Sequence, residues 1–160
     1  MSNSVFQKRI KIFTDSSDKN HMLEMAKNPL ISGLTTNPTL MRKAGVADYR
    51  AFCKEVLAEV KDKPISFEVF ADDFPNMERQ ARELATWGQN VYVKIPVTNS
   101  LGEPTTELVR RLSHDGVKLN VTAVFTLKQV LDVAGALKGG APSVVSVFAG
   151  RIADTGRDPM

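Results

Sequence analysis

The stretch Val91-Tyr92-Val93-Lys94-Ile95-Pro96-Val97 sets one ammonium group inside an otherwise apolar run. Such a run reads as a strand buried on both faces, the kind found in parallel sheets. A lysine in that setting needs a reason. Burial disfavours the charged form of an amine, so a desolvated lysine gives up its proton more readily and becomes a candidate nucleophile for Schiff-base formation with a carbonyl. The structural alternative is an edge-strand lysine whose head sits in water and guards against aggregation. What the other strands carry separates the two readings.

Working outward, short apolar stretches alternate with longer amphipathic ones along the whole chain. Candidate strands are Lys11–Thr14, Ile31–Thr35, Ile65–Phe70, Val91–Ile95, Lys118–Val121 and Val144–Phe148. Their centres recur about every 20 to 35 residues, the length of a βα unit. Helical patterns occupy Asp18–Lys27, Ala47–Lys61, Asn76–Trp87, Pro104–His114 and Leu127–Leu137. Gly88, Gly116 and Gly139 each follow a helical stretch as a C-terminal stop does. Trp87, on a face with Leu84, reads as a residue that closes its helix against the sheet.

Each candidate strand has a polar residue at or near its end: Asp15, Asn37, Glu68, Lys94, Asn120 with Thr122, and Ser146 with Arg151. In a (β/α) barrel, catalytic groups gather on the face where the strands end and the following loops converge. An open doubly wound sheet gathers them at one switch point, and a glycine-rich first turn usually announces a nucleotide. Here the first turn is Thr14-Asp15-Ser16-Ser17, without glycine. The expectation is an α/β chain of the TIM (β/α)8 barrel family with six βα units and no nucleotide cofactor.

Composition supports a single domain over residues 1–160: 42% hydrophobic, 24% charged, and no stretch long enough to span a membrane. Met1 to Gln7 is short, mostly polar, with one phenylalanine, and has no apolar signal core, so a cytoplasmic protein is expected. Cys53, on an apolar helical face with Phe52, Val56, Leu57 and Val60, suits packing rather than chemistry. His21 and His114 are isolated and form no compact ligand motif, so no metal is expected. The formal charge of +3 is dispersed, without a basic run, which disfavours nucleic acid. Cations gathered at one site still suit a phosphorylated metabolite.

The strand-end groups have a joint chemistry. An amine at Lys94 condensed with a ketone gives an iminium, an electron sink for breaking the adjacent carbon–carbon bond. A carboxylate must take a proton from the hydroxyl on the departing fragment, and a second group must move protons as the imine forms and hydrolyses. Asp15 and Glu68 are the carboxylates available, Thr122 can hold a water, and Asn37, Asn120 and Ser146 can bind hydroxyls. Arg151 offers a guanidinium fork for a phosphate. Structural alternatives stand beside these: Asp15 as a helix cap, Asn37 before Pro38 as a turn, Arg151 as a surface cation.

The motifs Thr35-Thr36-Asn37-Pro38-Thr39-Leu40, Ser66-Phe67-Glu68-Val69, Val93-Lys94-Ile95-Pro96, Leu119-Asn120-Val121-Thr122 and Ser146-Val147-Phe148-Ala149-Gly150-Arg151-Ile152 occur in this order across nearly the whole chain. Together they resemble the transaldolase family, in its compact branch that includes the fructose-6-phosphate aldolases. The resemblance implies a Schiff base at Lys94, proton abstraction by Asp15 and a catalytic water held by Glu68 and Thr122. It also implies a dihydroxyacetone unit held by Asn37, Asn120 and Ser146, and a sugar phosphate met by Arg151. No cofactor or metal is implied. Glu68 and Phe148 stand where the aldolases tend to carry glutamine and tyrosine, so the resemblance favours transfer of a three-carbon unit from a ketose phosphate to an aldose phosphate, as in the pentose phosphate pathway.

Family members close an eight-stranded barrel, which needs roughly 200 residues or more. The sequence therefore reads as a barrel incomplete at its C-terminus, lacking two βα units, a second phosphate-binding arginine and a helix used in oligomers. Self-association stays open. Unpaired edges on the first and sixth strands are expected. Two further readings follow: an aldolase releasing free dihydroxyacetone, and an inactive barrel fragment acting through its open edges as an assembly module.

Overall fold

The computed structural model describes residues 10–159, so Met1 to Gln7, read above for export, lies outside the described residues. The elements run β1 (Ile12–Asp15), α1 (Lys19–Lys27), β2 (Ile31–Thr35), α2 (Pro38–Lys43), α3 (Tyr49–Glu59), β3 (Ile65–Glu68), α4 (Phe74–Ala85), β4 (Val91–Pro96), α5 (Thr106–His114), β5 (Leu119–Val124), α6 (Leu127–Leu137), β6 (Val144–Val147) and α7 (Ala149–Asp154). Strands pair in parallel with their sequence neighbours: β1 with β2, β2 with β3, β4 with β5, β5 with β6. Parallel neighbours need a crossover, and a helix supplies it each time. Serial order without reversal is the pattern of a (β/α) barrel, of which six βα units are present.

The described residues form two compact units, one running through Glu68 and taking in Trp87–Val91, the other holding Val69–Thr86 and the chain from Tyr92 onward. In the first, Met22, Leu34, Cys53, Val56, Ile65 and Phe67 are fully buried, so α1 and α3 cover the strands with their apolar faces. Gly33 on β2 is dictated by packing: a Cβ there would run into the ring of Phe13 on β1. In the second, Met77, Val93, Ile95, Leu112, Leu119 and Val121 form the core beneath α4, α5 and α6.

Capping residues fix where the helices begin. Asp18, Asp48 and Asp73 each accept from the backbone N–H three residues on, and Thr126 and Gln129 form a capping box at α6. The Asp48 cap starts α3 two residues later than the sequence pattern suggests, and the Asp73 cap starts α4 two residues earlier than Asn76. α5 starts at Thr106 instead of Pro104, because Thr105 is turned back by bonds from its N–H to the Val97 carbonyl (3.0 Å) and from its hydroxyl to the Pro96 carbonyl (2.7 Å). β3 stops at Glu68, short of the expected Phe70, because the N–H groups of Phe70 and Ala71 donate to Gln80 Oε1 (2.8 and 2.9 Å).

Two short helices escaped the sequence pattern. α2 follows Asn37-Pro38, a capping residue and an N-terminal proline. α7 has no buried residue and no side-chain cap. Gly116 and Gly139 adopt positive φ (90° and 82°), as helix stops do. Gly88 does not; α4 has already ended, and a Cβ at Gly88 would sit 3.0 Å from Asn90 Oδ1 and 3.4 Å from Leu57 Cδ2. Trp87 packs on α3 at its Tyr49 ring (centroids 6.2 Å), with the Arg50 guanidinium 5.7 Å from the indole centroid.

Candidate active site

In the first unit, parallel register brings Asp15 beside Thr35 and Thr35 beside Ser66, so these side chains share one face. Glu68, two residues beyond Ser66, shares that face by the period of the strand. The Asp15 carboxylate is held at both oxygens: Thr35 Oγ1 donates to Oδ1 (2.8 Å) and Asn37 Nδ2 donates to Oδ2 (3.3 Å). Asp15 does not cap α1, which Asp18 does. Asn37 has two duties, since its Oδ1 also accepts from Leu40 N (2.9 Å) to cap α2. This uses the amide's bifunctionality: the carbonyl end orders the helix and the NH2 end orders the carboxylate. Thr35, inside the quoted motif, joins the site through its bond to Asp15.

In the second unit, β4 buries Val91, Val93, Ile95 and Val97 on one face and presents Lys94 on the other. Lys94 is 8% exposed, which removes the edge-strand reading. Register sets Asn120 beside Lys94 and Thr122 beside Pro96, so Lys94, Asn120 and Thr122 line one face of two adjacent strands. Asn120 and Thr122 are each 3% exposed. Ser146 on β6 joins them, its Oγ donating to Asn120 Oδ1 (2.8 Å).

Directly after Thr122 the ladder changes. Val121 pairs with Val145, but Val124 pairs with Val147, so β5 carries one residue more than β6 over that span. Ala123 takes up the excess at φ 57°, a left-handed conformation that a side chain disfavours. The bulge lies on the β6 side of the strand, since the register of Thr122 with Pro96 on β4 is unbroken. Nothing in Thr122-Ala123-Val124 signals it, since glycine is the usual occupant.

The loop after β4 is also built. Asn99 Oδ1 accepts from Leu101 N and Glu103 N, and Gly102 turns at φ 80°. Ser100 donates through its hydroxyl and its N–H to the Asp72 carboxylate, fixing the β4–α5 loop to the β3–α4 loop. Those bonds hold Asp72 below the usual carboxylate range.

Phe148 precedes α7 and meets Phe125 edge-on, centroids 5.6 Å apart. Arg151 lies on α7, 75% exposed, with Asp154 3.6 Å away. Among the described residues no cluster of three or more histidine, cysteine, aspartate or glutamate side chains suits a metal ion, and no helix is long and apolar enough to cross a membrane. Cys53 is buried, and burial pushes its thiol up to about 12, which suits a packing role.

The family model described as transaldolase/fructose-6-phosphate aldolase matches residues 12–160. The chain belongs to this family. Curated relatives agree: a probable transaldolase of Dehalococcoides mccartyi is 39% identical over 151 residues, covering 94% of this chain and 66% of that protein. A probable transaldolase of Methanococcus maripaludis is 41% identical, with the same coverage, and one of Streptococcus agalactiae is 37% identical over 149 residues, 93% of this chain and 65% of its own length. The chain thus spans just under two thirds of the length of these relatives. The first unit holds Asp15 on β1, Asn37 at the start of α2 and Glu68 on β3, and the second holds Lys94 on β4, Asn120 and Thr122 on β5 and Ser146 on β6.

Proposed function

We propose that the protein is a transaldolase, moving a three-carbon dihydroxyacetone unit from a ketose phosphate to an aldose phosphate through a Schiff base at Lys94. The observation that carries the reading is the buried lysine flanked in register by Asn120, itself bonded to Ser146. A buried amine on a packed strand is oriented before substrate arrives, and amide and hydroxyl groups beside it suit the hydroxyls of a ketose.

In the reaction, the Lys94 amine adds to the ketone and water leaves, giving the iminium. Asp15 takes the proton from the hydroxyl of the carbon that departs as aldehyde, and the electron pair of the broken carbon–carbon bond passes into the iminium. The resulting enamine adds to the carbonyl of the aldose acceptor, whose new hydroxyl receives the proton back from Asp15. Hydrolysis then frees Lys94. Glu68 and Thr122 hold the water that enters and leaves, and Arg151 takes the sugar phosphate. The grip of Thr35 and Asn37 on both Asp15 oxygens supports its role as a positioned base. Phe148 lacks a phenol that could protonate the bound enamine and release free dihydroxyacetone, which favours transfer over simple cleavage.

The test is acceptor dependence. With fructose 6-phosphate as donor, turnover is expected only when an aldose phosphate is added. Steady release of free dihydroxyacetone without acceptor would identify an aldolase instead, and no turnover in a folded sample would remove the reading for this chain. The protein is expected to act on sugar phosphates and to need neither membrane nor nucleic acid.

A further inference from the structure

The β2–β3 ladder stops early. Its last register pair is Thr35 with Ser66, and its last bond runs from Thr36 N to the Ser66 carbonyl (3.2 Å). β2 then turns into the Asn37 cap of α2. Backbone groups in a strand alternate sides, and Ile65 N turns the other way, to the Asn90 carbonyl (2.9 Å). The N–H and carbonyl of Glu68 therefore point to the side that β2 has left. One group meets both. The Tyr49 hydroxyl accepts from Glu68 N (2.9 Å) and donates to the Glu68 carbonyl (3.1 Å).

We propose that Tyr49 is a positioning residue for Glu68: its phenol stands in for the missing sheet neighbour and so fixes the direction in which the Glu68 side chain leaves the strand. The inference rests on the catalytic reading of Glu68 given above. Tyr49 is itself held, as the first residue of α3 behind the Asp48 cap, with its ring edge-on to the buried Phe67 (6.3 Å, 81°) and tilted against Trp87. Burial, with a smaller contribution from the neighbouring Cys53, raises the phenol far above its ordinary pKa. It stays neutral and keeps the proton it needs to donate while accepting. Without this hydroxyl two partly buried backbone groups lose their partner, and the strand end loses the constraint that sets the Cα–Cβ bond of Glu68. Small misplacement of a proton-moving group lowers turnover steeply.

Tyr49→Phe keeps the ring and removes only the hydroxyl. Val56→Ala, a fully buried truncation on the same helix, serves as a control that destabilises the unit without touching Glu68. In Tyr49→Phe the Glu68 amide is expected to lose about tenfold or more of its hydrogen-exchange protection relative to the Thr36 amide in the same molecule, the worth of one hydrogen bond. Its χ1 couplings are expected to become averaged. Turnover should fall about 10- to 100-fold with KM little changed. Val56→Ala should leave the Glu68-to-Thr36 protection ratio and KM as they are, whatever its cost in stability. Unchanged Glu68 protection and χ1 in Tyr49→Phe would overturn the proposal, and so would loosened Glu68 with kcat equal to that of the unmodified chain. If the unmodified chain has no turnover but Tyr49→Phe still frees Glu68, the functional reading has failed and the positioning role of Tyr49 stands.

Discussion

Strands β5 and β6 are parallel neighbours made of similar residues, yet they live in different environments. Val121 on β5 is fully buried, while Val147 on β6 is 44% exposed. β5 pairs with β4 on one side and β6 on the other and lies under α5 and α6. Among the described residues β6 has its ladder only with β5, and α7 beyond it has no buried side chain. Burial is conferred by neighbours, not by side-chain identity. The functional consequence follows the same gradient: Lys94, Asn120 and Thr122 are held by a packed sheet, whereas Arg151 stands in solvent on a six-residue helix. Under the proposed function, covalent chemistry falls to the packed strands and phosphate capture to the exposed α7.

The largest effect is expected at Lys94. Lys94→Met keeps the aliphatic stem and removes the amine, so turnover should fall to background while the far-ultraviolet circular dichroism stays that of the unmodified chain. Activity near the original level would detach the packed strand from the chemistry. The next test concerns packing alone. Leu119→Ala, inside β5, should cost about 3 kcal/mol in urea unfolding, and Val147→Ala on β6 less than about 1 kcal/mol. Equal costs would mean that β6 is packed as tightly as β5.

Arg151→Ala sharpens the functional half of the contrast. An exposed guanidinium contributes little to folding, so stability should move by less than about 0.5 kcal/mol. KM for the sugar phosphate should rise about tenfold, as expected for a lost charged hydrogen bond. At the junction of the two strands, Ala123→Gly relieves a left-handed residue and should stabilise by up to about 1 kcal/mol; a loss of stability there would mean that the Ala123 methyl packs more than it strains.

Much of this was legible in the sequence. The Val91–Val97 run declared a doubly buried strand because its flanking valines and isoleucine leave no solvent face, and the serial βα order followed from the spacing of six such runs. α6 was read at its observed bounds, Leu127–Leu137, from the helical pattern that fills it. What stayed hidden depends on geometry that one-dimensional patterns do not carry. α2 and α7 are six residues each, too short for a helical period to emerge. The bulge at Ala123 arises from register with β6 and leaves no compositional mark. Tyr49 read as an ordinary residue of a helical pattern, because its tie to Glu68 spans 19 positions. Of the site, residue types were legible and their support was not: Asp15 showed as a carboxylate, but its clasp by Thr35 and Asn37 did not.

The smallest effect is expected at the surface clasp between α4 and α5, where Glu78 accepts from Arg111 (2.8 Å) and Arg82 (2.7 Å). Those bonds, Arg111 first, hold the Glu78 carboxyl below its usual range. A carboxyl lowered in the folded state adds stability above its unfolded pKa and loses it as pH falls through the folded value. The difference in urea midpoint between the unmodified chain and Glu78→Gln should be small at pH 7 and should vanish at strongly acid pH. A difference that grows on acidification would reverse the assignment.

Covalent trapping asks whether the buried amine on β4 is the nucleophile. Incubation with fructose 6-phosphate and borohydride, followed by peptide mass spectrometry, should place a reduced three-carbon adduct on Lys94 and on no other lysine. A folded sample with no adduct, or with one at another lysine, would contradict that role.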